Sequence, residues 1–120
     1  RRFSILMNLL LASAFLLISA VAVGFYLLFL GLRQRKRSPG LGSTHAGLAL
    51  CGIIVLFTEI FTGPTDKMNN VAALFLFFAL VGGGMVFALH EENKPPSMAA
   101  VTAHAAMGIV GITLLIINLL

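Results

Sequence analysis

"STHAGLALCGIIVLF" (residues 43–57) and "VTAHAAMGIVGITLL" (residues 101–115) are two apolar runs built on one phrase. Each is led by His-Ala, and each has a glycine seven residues after the histidine. A helix needs about 20 mostly apolar residues to cross a hydrocarbon core about 30 Å thick. Two further runs, Leu9–Leu30 and Val71–Leu89, have the same character. Together they predict helices over about residues 9–30, 45–61, 71–89 and 101–120, within a single transmembrane domain spanning residues 1–120. No segment alternates with period two over a useful length, so strands are not expected. The predicted fold class is all-α: an integral membrane four-helix bundle made of two tandem helical hairpins.

Composition excludes a water-soluble domain. The 120 residues are 59% hydrophobic and 10% charged, and the mean hydropathy is +1.04. A soluble domain carries about 25% charged residues. The net charge of +4 is concentrated in "RQRKR", which holds Arg33, Arg35, Lys36 and Arg37. A basic block between apolar runs marks a membrane-facing loop, and no nucleic-acid partner is expected. The lone cysteine, Cys51, cannot form an internal disulfide and reads as a small buried hydrophobe.

The connections "GLRQRKRSPGLGST", "TGPTDKMNN" and "HEENKPPSMAA" each carry Gly, Pro or Asn punctuation. The opening "RR" and the "AVA" at 20–22 have some features of a cleaved signal peptide. The run continues to Leu30 and meets the basic block, however, so a retained helix is the expectation. Lys and Arg set orientation. The first and third connections carry five (Arg33, Arg35, Lys36, Arg37, Lys94), and the other side carries three (Arg1, Arg2, Lys67). This places the Arg33–Arg37 loop in the cytoplasm and both termini outside. The chain starts on Arg and stops inside an apolar run, so either end can be incomplete.

The repeat has a fixed offset of 59 residues. His45, Ala46, Gly52, Ile53 and Leu56 correspond to His104, Ala105, Gly111, Ile112 and Leu115, and Gly24 corresponds to Gly83. Glu59 falls opposite Asn118 and Gly31 opposite His90. Seven residues return to nearly the same helix face. His45, Gly52 and Glu59 therefore form one stripe, and His104, Gly111 and Asn118 form its counterpart. Small and polar residues in membrane helices face protein, which predicts that both stripes point inward.

All three histidines fall at the "RQRKR" end, with His45 and His104 heading helices and His90 ending one. Two opposed imidazoles can hold a haem iron from both sides in a helix bundle. On this reading Gly52 and Gly111 make room for the macrocycle, and Arg33 pairs with its propionates. The alternative sets the histidines at headgroup level, bonded to water, lipid or loop carbonyls. A zinc site would want three or four ligands, no Cys or Asp is near the histidines, and Glu91 and Glu92 are the only candidates. Glu59 lies about 21 Å from His45 along the helix and is expected as an interfacial carboxylate near Lys67. There is no Ser/His/Asp set, phosphate loop or CxxC, so catalysis by the chain alone is not indicated.

The segment "GGGMVFALHEENKPPSMAAVTAHAAMGIVGITLL" resembles a pattern in small, uncharacterised bacterial membrane proteins, and is distantly similar to the cytochrome b561 type of haem bundle. That type places two histidines on one helix and binds two haems. Here each His-bearing helix has one, so the resemblance implies at most one haem b, ligated by His45 and His104 with His90 as a substitute. It implies electron transfer with a quinone as candidate partner. Two functions are therefore expected. One is a small haem-binding subunit of a larger respiratory or photosynthetic complex in a bacterial inner membrane. The other is a cofactor-free structural or assembly subunit. A transporter would want broken helices and midplane polar groups.

Overall fold

A computed structural model describes residues 2–33, 39–89 and 96–120. It is all-α, with α1 at Arg2–Leu32, α2 at Pro39–Thr62, α3 at Lys67–Ala88 and α4 at Met98–Leu119. All four helices are long and apolar enough to cross a membrane. The physical reason is that hydrocarbon offers backbone N–H and C=O groups no partner, and a helix satisfies them internally. Large side chains cover the outside: Phe15 is 72% exposed, Phe61 81% and Phe87 85%. Such a surface suits lipid and not water, and the protein is an integral membrane protein. The chain divides after Thr65 into two compact units, one formed by α1 and α2 and the other by α3 and α4.

Each helix begins earlier than its apolar run. Pro39 opens α2, a first-turn position where a missing N–H costs nothing. Asp66 caps α3 in an extended conformation (φ −134°, ψ 114°), accepting from the backbone N–H of Met68 (2.9 Å) and Asn69 (3.2 Å). Lys67 through Asn70 therefore form a polar first turn and not a loop. Ser97 caps α4 by accepting from Ala100 N–H at 3.4 Å. The predicted starts at residues 9, 45, 71 and 101 move to 2, 39, 67 and 98, because hydropathy does not detect a polar first turn. His45 and His104 consequently sit inside their helices: His45 follows Pro39 by six residues, and His104 follows Met98 by six.

The buried cores of the two units obey the offset. Ala14, Leu17, Ala20, Ile53 and Leu56 are buried in the first unit; Ala73, Leu76, Ala79, Ile112 and Leu115 are buried in the second. Every pair differs by 59. One expectation changes: Cys51 is exposed, facing away from the core. Glu59 is 3% exposed, buried as its place on the His45 stripe predicts. Among the described residues, no buried side-chain polar atom lacks a hydrogen-bond partner.

One end of the second hairpin is closed by a polar cluster. The Asn118 Nδ2 amide donates to Asp66 Oδ2 (3.0 Å) and to Asn69 Oδ1 (2.7 Å). The Asn118 bond holds the Asp66 carboxyl below its ordinary value of 3.8. Partial burial works against this, and the Asn69 and Met68 amides add to it. A depressed folded pKa contributes stability above the unfolded value, and that stability is lost as pH falls through the folded pKa. In detergent micelles, carboxyl 13C shifts should show Asp66 titrating below 3.8, with the midpoint rising in Asn118→Ala. An unchanged midpoint in that variant would contradict the assignment.

Candidate functional site

The two histidine stripes face inward, each toward the other helix of its own hairpin. His45 Nδ1 lies 2.7 Å from the Ala20 carbonyl oxygen on α1, and His104 Nδ1 lies 2.7 Å from the Ala79 carbonyl oxygen on α3. A carbonyl can only accept, so each Nδ1 carries the proton and donates. The bonded carbonyl is the one that, in an α-helix, also accepts the N–H four residues on. That residue is Gly24 in the first hairpin and Gly83 in the second.

The glycine explains how the ring gets there. A Cβ on Gly24 would stand 2.8 Å from His45 Cε1 and 3.2 Å from Nδ1; a Cβ on Gly83 would stand 2.8 Å from His104 Cε1 and 3.1 Å from Nδ1. Any side chain there would occupy the volume of the imidazole. The glycine thus opens a notch in the helix wall, and the histidine fills it while bonding the carbonyl one turn back. Sequence reading paired Gly24 with Gly83 but did not connect either to a histidine. The available signal is Ala-x-x-x-Gly on the first helix of each hairpin and His-x6-Gly on the second.

A second notch lies two turns along. A Cβ on Gly52 would stand 2.7 Å from Leu17 Cγ, and one on Gly111 would stand 2.7 Å from Leu76 Cγ and 3.1 Å from the Ala72 carbonyl oxygen. Gly52 and Gly111 were expected to make room for a macrocycle; the volume they vacate holds Leu17 and Leu76. In the first hairpin Ser13, fully buried, donates to the Gly52 carbonyl at 2.8 Å. Its repeat mate is Ala72, which has no side-chain donor. Sequence reading missed Ser13 because one hydroxyl in an apolar helix leaves no periodic trace.

The remaining candidates are placed as follows. Arg33 follows α1, exposed, with its guanidinium carbon 5.4 Å from the Phe29 ring centre. His90, Arg35, Lys36, Arg37, Glu91 and Glu92 lie outside the described residues. Among the described residues, no group of three or more His, Cys, Asp or Glu side chains is clustered to hold a metal ion.

This geometry defines a class: an all-α integral membrane protein of two hairpins, each closed by a histidine in a glycine notch. No protein-family model, curated protein or solved structure matches the chain, so function is read from its residues.

The notches make a differential test. Gly24→Ala and Gly83→Ala should each destabilise the fold by about 1–3 kcal/mol, the usual cost of overpacking. Nothing lies within 4 Å of a Cβ on Gly84, so Gly84→Ala should be neutral or stabilising by up to about 1 kcal/mol. Denaturant titration in micelles measures both. Equal responses at Gly83 and Gly84 would remove the notch as a packing device.

Proposed function

We propose that this is a cofactor-free structural or assembly subunit of a membrane protein complex, whose buried stripes lock helix pairs and whose outer faces pack against partner helices. The observation that carries this reading is the filling of all four glycine notches by the chain's own side chains: His45, Leu17, His104 and Leu76. The stripes then do interhelical packing work, which membrane proteins assign to small residues and buried polar bonds. Gly47, on an exposed stretch of α2 with open space beside it, offers a partner helix a close approach. The lysine and arginine bias supports a cytoplasmic Arg33 end, and the resemblance to small bacterial membrane proteins supports an inner-membrane location.

One observation favours a second reading, a b-type haem between His45 and His104. Each imidazole donates Nδ1–H to a backbone carbonyl, the arrangement that fixes the tautomer and orients Nε2 in metal-ligating histidines. The anchored rings fit the ligand role, although Gly52 and Gly111 do not supply the space. Bound haem would supply one-electron transfer, with Arg33 as a counter-charge for propionates.

The dithionite-reduced absorption spectrum of protein purified from haem-replete cells decides between the two. The structural reading expects no α band. A sharp b-type band that vanishes in the His45→Ala, His104→Ala double variant would replace it with the haem reading. The assembly role has its own measurement. Extracted in native nanodiscs, the protein should run in a particle heavier than one chain, and Gly47→Leu should reduce that mass. A single-chain particle would remove the assembly role.

A further inference from the structure

We propose that the C-terminal end of α1 binds an anionic phospholipid, with Arg33 taking the headgroup phosphate and Tyr26, Phe29 and Leu30 taking the upper acyl chain. These four residues line an open cleft of about 420 Å³. Their spacing of i, i+3, i+4 and i+7 puts them on one helix face. The apolar span ends at Leu32, and Arg33 is the first charged residue after it.

Two aromatic rings and one cationic group line the cleft. The Tyr26 and Phe29 rings stack with centroids 6.5 Å apart and planes 18° from parallel. Both are half exposed, at 51% and 48%. Aromatic rings of this kind belong to the membrane interface. The Arg33 guanidinium sits over the Phe29 ring at 5.4 Å. A cation–π contact on that face steadies the group, and its planar fork suits two oxygens of one phosphate.

Charge complementarity identifies the occupant. No Asp or Glu precedes Glu59 in the sequence, and Glu59 lies near the end of α2 remote from Pro39, where that helix begins. The first hairpin therefore supplies no carboxylate to Arg33. Arg35, Lys36 and Arg37 follow within four residues in the sequence. A basic cluster immediately after a membrane span attracts anionic lipid, and the half-exposed Tyr26 and Phe29 rings beside Arg33 favour a phosphate that carries acyl chains.

Tyr26 makes the test direct. It is the only tyrosine, and the chain has no tryptophan, so tyrosine emission reports on this cleft alone. The full chain is reconstituted in phosphatidylcholine vesicles containing a minor fraction of phosphatidylglycerol brominated near the headgroup. A parallel arm carries the same fraction of brominated phosphatidylcholine. Quenching should be severalfold stronger with brominated phosphatidylglycerol. Arg33→Gln should abolish the difference, and Arg33→Lys should keep part of it. Circular dichroism should show unchanged helicity in both variants. Equal quenching by the two lipids would overturn the proposal. So would a preference that survives Arg33→Gln, because the selectivity would then belong to diffuse charge on the following loop.

Discussion

The structure depends on one interaction made twice: an imidazole N–H reaching a helix carbonyl through a gap left by glycine. Lipid is as apolar as leucine, so helices in a membrane gain little from hiding apolar faces against one another. What remains is close packing and interhelical hydrogen bonding, each about 0.6–2 kcal/mol per bond. His45 and His104 supply both at once. The ring fills the notch over Gly24 or Gly83, and its Nδ1 proton joins α2 to α1 or α4 to α3. An alanine at either glycine would obstruct the ring and therefore the bond. A smaller polar residue in place of histidine would leave the notch unfilled. The Ala-x-x-x-Gly and His-x6-Gly spacings are thus mutually required.

The Leu17 and Leu76 contacts extend the same logic two turns along. Each leucine enters the gap at Gly52 or Gly111, so the two helices of a hairpin interlock at two levels on one stripe. Between these levels lie the buried Ala20 and Ala79, and just beyond the leucines lie the buried Ala14 and Ala73. Alanine here keeps the helices close enough for a histidine side chain to span the gap. A leucine at Ala20 or Ala79 would stand beside the carbonyl that the histidine uses.

Much of this was legible in the sequence, for identifiable reasons. Four apolar runs and the absence of period-two alternation defined the helices, because a membrane permits few alternatives. The offset of 59 and the inward stripes followed from rare residue types, His and Gly, at one spacing. The direction of the histidines did not follow. A stripe gives the face of a helix but not which neighbour it meets, and both a facing helix and a diagonal one satisfy the same periodicity. The partner residues Ala20 and Ala79 were also out of reach, since a backbone carbonyl has no sequence signature. Helix starts were misplaced where a cap such as Asp66 lets polar residues form the first turn. Cys51 went the opposite way from expectation because residue type outweighed helix phase. Glu59 lies two heptads along the His45 stripe and is buried as that phase requires, whereas Cys51 lies off the stripe and is exposed.

The departures from the repeat show which parts of it are constrained. The latch is kept in both hairpins, and so are the five buried apolar pairs. The polar supplements are not. Ser13 bonds Gly52 in the first hairpin, where the second has Ala72. Asn118 joins Asp66 and Asn69 in the second, where the first has a buried Glu59 in place of Asn118. Ser13 acts at the level of the second notch, and Asn118 and Glu59 lie near the hairpin ends remote from the histidines. Each hairpin therefore carries a polar supplement besides its histidine latch, and the chemistry of that supplement differs between the two. The latch does not differ in this way, because its ring, carbonyl and glycine must fit one another in shape. A duplicated hairpin would be expected to diverge in this pattern, drifting where any hydrogen bond suffices and staying fixed where only one geometry closes the helices.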